Sequence, residues 1–332
     1  MKTKGSIISA LIIVSLVFAC KKKDSTEDPA PTTTTGTTTG APVVVNLTYA
    51  QSIGSVGSAL SEFNFNMSGG DMSWGLATDG NFVYVADFGN NCVKKIDLST
   101  NTVAGWYGFK GTTWGYYTDN TTAPSPLFKP TRLIYKNNNF YAFAHKGTTG
   151  KSTLYKFNTN GSSVDTSKVI PVFSFFTADI DANENVIIAA SDSVKVYTTS
   201  GVTRFGGTGT TDGKLNNSGY MVQVQAVGDT IVVIDAGNSR IQKFSSNGSF
   251  ISKFEISLPV KDYTNLFITD NKYYFIQKGN LAEYSPGGTK LNEYPVKGNP
   301  SGFGTGQKQF IVINNKVIFQ DNFTNKLHVF TK

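Results

Sequence analysis

At 332 residues, with 39% hydrophobic positions, the chain is long enough for one large all-β domain or two ordinary ones. Charged residues make up only 16% of it, and 24 Phe, 15 Tyr and 33 Gly combine sheet formers with turn formers, which points to an all-β protein and excludes collagen-like, disulfide-scaffold and wholly disordered classes. The net charge of +7 is spread thinly, with no basic block in the part that can fold, so nucleic acid is not an expected partner.

The chain begins with Lys2 and Lys4 ahead of an apolar run from Ile7 to Ala19. That run is shorter than the roughly 20 residues of a spanning helix and fits the apolar centre of a secretory leader. Its end, Val17-Phe18-Ala19-Cys20, resembles the lipobox of bacterial lipoproteins. The resemblance implies cleavage before Cys20 and acylation of that residue by palmitate-type chains, giving the two or more anchors that stable membrane attachment requires. The other cysteine is Cys92, so no intramolecular disulfide is expected. Lys21-Lys22-Lys23-Asp24 resembles the charged start of surface lipoproteins of the Bacteroidetes type. It lacks the Asp after the cysteine that marks inner-membrane retention in enteric bacteria. The outer membrane is the expected address, with the leaflet left open. From Ser25 to about Pro42 the chain is Thr, Gly, Pro and acid, too polar to order itself, and reads as a tether. The expected organisation is a signal peptide over 1–19, a lipidated Cys20 and disordered tether over 20–46, and one folded domain over 47–332.

The body of the chain is a repeat. WGLATDGNFVYVADFGNNCVKKID from Trp74 and AVGDTIVVIDAGNSRIQKFSSNG from Ala226 are two copies of one unit: strand, tight polar turn, strand ending in Asp, Gly-Asn loop, third strand. Asp87-Phe88-Gly89-Asn90-Asn91-Cys92-Val93 corresponds to Asp235-Ala236-Gly237-Asn238-Ser239-Arg240-Ile241. These residues resemble the NHL-repeat family, whose hallmark is a strand of the type I-Y-V-A-D, a Gly-Asn-x-Arg loop and a strand of the type I-x-K-F. Weaker copies place anchors at Asp87, His145, Ala190, Asp235, Gln277 and Asp321. A period of about 40–45 residues with no helical pattern predicts a six-bladed β-propeller. The last unit stops after its third strand, so Leu47–Ile53 is expected to supply the missing outer strand of blade six and close the ring. Gly206-Gly207-Thr208-Gly209 is expected to be a connection between blades three and four rather than a phosphate loop.

The first strand of each blade faces the central channel. Leu76, Ile134, Ala178, Val224, Leu266 and Phe310 form an apolar row and are expected to face the core. The alternate positions are then expected to point into the channel. They comprise Gly75, Leu133, Thr177, Gln223, Asn265 and Gln309 in one ring, and Ala77, Tyr135, Asp179, Gln225, Phe267 and Ile311 in the next. Lyase-like and lactonase-like propellers place a metal or a His/Glu pair there, because proton abstraction needs a tuned base. The only histidines, His145 and His328, fall on other strands and are expected at the surface or in loops. Asp179 and Asp181 could hold a hard cation with Thr177, but solvated structural roles are the simpler expectation, and no metal or other cofactor is expected. Cys92 stands where the other copy has Arg240, and a packing role is expected for it.

The expected function is that of a non-catalytic binding or interaction module for an extracytoplasmic glycan or peptide, carried by a monomeric propeller. The alternatives are a channel-based lyase or lactonase-like hydrolase and a structural partner of an envelope complex. Flat aromatic rings suit sugar faces and peptide side chains. Trp114, Tyr116 and Tyr117 in the long first insertion, Trp106 and Tyr107 at its approach, and Trp74 and Arg132 at the start of inner strands are therefore candidate ligand contacts on the face that carries the anchors. A cap over blades one and two is the competing reading of the same rings.

Overall fold

The computed structural model describes residues 42–65, 75–119, 124–125, 128–145, 152–170, 177–190, 192–216, 222–256, 265–297 and 309–332. The leader with Cys20, the tether before Pro42, and Trp74 lie outside them. Residues 41–332 form one compact unit, a six-bladed β-propeller. Blade 1 is built from Leu76–Thr78, Phe82–Asp87, Cys92–Asp97, Thr102–Lys110 and a fifth strand, Thr113–Tyr117. Blade 2 comprises Pro130–Lys136, Asn139–His145, Ser152–Asn158 and Val164–Ile170, and blade 3 Ala178–Ile180, Val186–Ala190, Ser193–Tyr197 and Val202–Gly206. Blade 4 contains Gln223–Val227, Thr230–Asp235, Arg240–Ser245 and Phe250–Glu255, and blade 5 Leu266–Thr269, Lys272–Gln277, Asn280–Tyr284 and Lys290–Tyr294. Gln309–Ile313, Lys316–Asp321 and Lys326–Thr331 form blade 6 with Leu47–Ile53.

Each of the six anchors is the last residue of a second strand. In blades 1, 4, 5 and 6 that strand is a near-continuous apolar run (FVYVAD, TIVVID, KYYFIQ, KVIFQD), buried from its second residue onward. A strand covered on both faces by neighbouring blades has no reason to alternate. Outer strands do alternate; Phe250–Glu255 is half-buried and exposed by turns. The hairpins that join first and second strands use short polar turns, and Asn137-Asn138 and Asp270-Asn271 both adopt the left-handed conformation that matches strand twist. Six apolar clusters fill the six gaps between adjacent blades.

The ring closes through Leu47–Ile53, which pairs antiparallel with the third strand of blade 6. His328 lies in this seam and is buried, not at the surface or in a loop, because its register partner is Ser52. Its Nδ1 lies 2.8 Å from Ser52 Oγ and its Nε2 3.1 Å from Asp321 Oδ2, so closure adds polar bonds to the ladder. Two short parallel pairings extend the outer rim. Val43–Val44 joins blade 5, and Val296–Lys297 joins Leu47–Ile53.

The Gly-Asn loops are clasps for the arm that arrives from the preceding blade. In blade 4, Asn216 N–H donates to Asp235 Oδ1 at 2.8 Å, and Gly237 N–H donates to Asn216 O at 2.9 Å. Asn238 Nδ2 reaches both Asp235 and Gly209 O. A Cβ on Gly237 would stand 2.2 Å from Asn216 O, so only glycine lets the arm come this close. Blade 1 repeats the set with Asn64, Asp87, Gly89, Asn90 and Gly57. The cation differs. Arg240 binds Asp235 at 2.8 Å and the carbonyls of Thr210, Thr211 and Lys214. In blade 1 Cys92 holds that position, buried, and Lys94, two residues on, takes over the role by donating to Ala59 O and Glu62 O beside Asp87 at 3.0 Å. Residues i and i+2 of a strand share a face, which permits the exchange. Burial pushes the Cys92 thiol well above its ordinary pKa, so it packs as a small apolar group.

Deleting residues 42–53 is expected to expose the third strand of blade 6 and lower the melting temperature sharply, whereas deleting 25–40 should leave it unchanged. Thermal melts of the two deletions test this, and equal melting would contradict closure by this strand.

Candidate binding channel

A cavity of about 520 Å³ occupies the channel. It reaches the turns of the first hairpins, with Gly80, Gly228, Asp270 and Asn314 at its rim. Because second strands run from those turns to the anchors, this is the face opposite the Gly-Asn loops, not the face the sequence favoured.

Side chains of the first strands do not divide into core and channel rows. Residues of both parities border the cavity, among them Leu76 and Ala77, Leu133 and Ile134, and Gln225 and Ala226. Leu133 and Ala77, expected to point inward, pack in the gap between blades 1 and 2, and Ile311 packs in the gap between blades 6 and 1. Each first strand is hydrogen-bonded only to its own second strand, and its two faces meet the two neighbouring blades. It turns an unpaired backbone edge to the channel, and such an edge needs partners.

Polar side chains supply them. Gln309 Oε1 accepts from Leu76 N at 2.7 Å across the gap from blade 6 to blade 1. Gln225 accepts from Ile268 N at 2.9 Å and donates to Ile268 O at 3.2 Å, joining blade 4 to blade 5. Asp179 Oδ2 accepts from Ala226 N at 2.7 Å, joining blade 3 to blade 4. Lys136 spans from blade 2 to donate to Ala226 O at 2.6 Å, and its Nζ lies 3.8 Å from Asp179. Burial pushes the Asp179 carboxyl up, and Lys136, the backbone donors and Arg132 oppose that.

Of the Thr, Asp, Asn and Gln positions expected in the channel, Asp179, Gln225, Asn265 and Gln309 border the cavity, as do Tyr135 and Phe267. Thr177 and Gln223 are buried outside its lining, with Thr177 Oγ1 donating to Ala189 O. Asp179 and Asp181 are buried rather than solvated, and Asp181 is occupied in its own turn, accepting from Asn183 N, Asn185 N and Asn185 Nδ2. No cluster of three or more His, Cys, Asp or Glu suited to a metal occurs among the described residues.

Of the aromatic and basic candidates, Arg132 borders the cavity and the described rings do not. Trp106 and Tyr107 are buried in blade 1, where Tyr107 donates to Thr159 O of blade 2 at 2.7 Å. Trp114 packs edge-on against Phe128 and Phe157 at 5.3 and 5.0 Å, within the cluster between blades 1 and 2. Tyr116 lies against Tyr107 at 4.7 Å, and Tyr117 lies against Trp106 at 4.5 Å under the Lys110 ammonium. This arrangement is that of a cap on the outer part of blades 1 and 2. The strand Thr113–Tyr117 that carries it accounts for the longer first spacing. Sequence reasoning passed over Lys136, because a lysine at a strand end carries no signal of how far its side chain reaches.

No protein-family model matches the chain, and no curated protein matches it in sequence. Solved structures do. The WD40 β-propeller domain of Doa1 aligns over 86% of this chain and 97% of its own at 9% identity, with a TM-score of 0.54, a likeness of fold alone. A streptogramin B lyase aligns over 80% of this chain and 96% of its own at 12% identity and a TM-score of 0.46. A calcium-binding protein, regucalcin, from Agrobacterium tumefaciens strain C58 aligns over 87% and 95% at 10% identity and a TM-score of 0.47. Neither carries an argument about this chain's activity.

Trp114→Ala is expected to cost about 2–3 kcal/mol of stability, as a partly buried aromatic does. Its effect on channel ligands should be negligible. Chemical denaturation and a ligand titration on this variant separate a cap from a platform.

Proposed function

We propose that the chain is an exported, lipid-anchored propeller of the NHL type that holds a small extracytoplasmic ligand, a glycan or a peptide end, in its channel without transforming it. The observation that carries this reading is the channel cavity itself, whose volume of about 520 Å³ lies in the range of small-molecule sites. Its walls are rigid, since the amides and the carboxylate that line it are fixed by bonds to the next blade. A preformed wall lowers the ordering cost of binding.

The same bonds argue against acid–base chemistry. A general base must present an uncommitted oxygen within reach of its substrate. Asp179 accepts from two backbone N–H groups, of Ile180 and Ala226, and faces Lys136. The lipid anchor rests on Val17-Phe18-Ala19-Cys20 and on the polar segment that follows.

Thr269 is a half-buried residue at the cavity rim. Thr269→Trp should obstruct the channel, abolishing ligand-induced thermal shifts from a screen of sugars and short peptides while leaving the unliganded melting temperature near its native value. Retained binding would remove the channel from consideration. For the anchor, metabolic labelling with a palmitate analogue should mark the native chain and not Cys20→Ser; equal labelling of both would contradict lipidation.

A further inference from the structure

Three cations that reach between blades or into their loops are consumed by the fold. Arg240 meets two carboxylates and three carbonyls, Lys94 a carboxylate and two carbonyls, and Lys136 a carboxylate and a carbonyl. Arg132 departs from this pattern. It is the third residue of the first strand of blade 2 and borders the channel cavity, yet its Nε and Nη1 atoms are sealed from water with no hydrogen-bond partner. Those two nitrogens carry three of a guanidinium's five N–H donors. Leaving them unpaired in a buried position costs free energy that a carbonyl or carboxylate would recover.

The acid whose charge acts on Arg132 does not answer the need. Burial lowers the guanidinium pKa and the charge of Asp179 only opposes that; Asp179 forms no ion pair with Arg132 and is already held by Ala226 N, Ile180 N and Lys136. A charge that a fold keeps inside and does not pair is accounted for when its partner arrives with a ligand. The planar fork of arginine suits a carboxylate, and the charge-assisted bonds formed are the strong kind.

Resting on the channel reading, the geometry points to Arg132 as the receptor for the carboxylate of a small ligand that comes in from the hairpin-turn face. Arg132 lies four residues along its strand from Lys136 at the turn end. At about 3.3 Å per residue that sets the Arg132 backbone some 13 Å below the turn end, so the carboxylate binds inside the channel and not at its mouth. Asp270 stands at the rim, which disfavours a second negative charge at the outer end of the ligand. Arg132 is half-buried and borders the cavity, so binding requires a change of rotamer that turns its sealed nitrogens toward the bound carboxylate. Two sources offer this chemistry, an acidic sugar and the C-terminus of a short peptide.

The test is a thermal-shift and calorimetric titration of the full chain, its Arg132→Met variant and its Thr269→Trp variant. The probes are glucuronate with glucose as neutral counterpart, and N-acetylglycylglycine with its amide. At least one acid should bind and its counterpart should not, and the responding pair identifies the source. Arg132→Met should bind that acid at least about tenfold more weakly. Its unliganded melting temperature should be equal to or above the native one, since an apolar side chain replaces an unpaired buried charge.

No response to either acid overturns the proposal, as does a large drop in melting temperature for Arg132→Met, which would mark a structural residue. A response shared by acid and neutral counterpart, undiminished in Arg132→Met and lost in Thr269→Trp, overturns the anion receptor and leaves the channel reading standing. Acid binding lost in Arg132→Met but kept in Thr269→Trp supports the receptor and rejects approach from the hairpin-turn face.

Discussion

A ring of sheets has to satisfy the backbone at its own centre. Each blade ends there in a strand bonded on one side only, and an N–H or C=O left without a partner away from bulk water is costly. Gln309, Gln225 and Asp179 meet this demand by reaching sideways to the next blade. The polarity of the channel is therefore first a property of the fold. Amides and a carboxylate that would pass for ligand contacts are committed to Leu76, Ile268 and Ala226, and chemistry remains available where the edge has not consumed it. Arg132 is such a place.

The same economy governs the other end of the blades. An arm arriving from the preceding blade is held by an Asp, a Gly that lets it approach, an Asn, and a cation that receives its carbonyls. Blade 4 uses Arg240 for the cation and blade 1 uses Lys94. What the site requires is a positive charge on one face of the third strand beside a buried carboxylate. Either of two neighbouring positions on that face can provide it. Cys92 in the vacated position is then a buried filler whose thiol burial pushes up.

Much of this was legible in the chain. Asp87 and Asp235 set the repeat frame, and counting from them located the ends of all six second strands and the limits of the closing strand Leu47–Ile53. Such features leave a pattern because burial on both faces forces an apolar run and a tight approach forces glycine. The orientation of the first strands was not legible. Period two says that Leu76 and Ala77 point opposite ways, but both faces of a blade are covered, so the pattern cannot tell channel from gap. The burial of His328 depends on a partner, Ser52, that is 276 residues away, and a strand count alone does not reveal the bond between them. Val43–Val44 and Val296–Lys297 pair over two residues each, too short for any periodicity. An aromatic cluster such as Trp106, Tyr107, Trp114 and Tyr116 has the same composition whether it caps a core or presents a platform, and its packing partners Phe128 and Phe157 lie in other segments.

The short pairing of Val43–Val44 with blade 5 has a mechanical consequence. The chain leaves the propeller at residue 42 from the outer edge of that blade, then crosses to blade 6 as the closing strand. Tension applied through the N-terminal segment reaches the two-residue parallel pair before it reaches the seven-residue strand that completes the ring. The weaker link is the outer one, and its rupture releases slack without opening blade 6. The propeller thus carries a mechanical fuse between any load on its N-terminal side and the seam on which its circular shape depends.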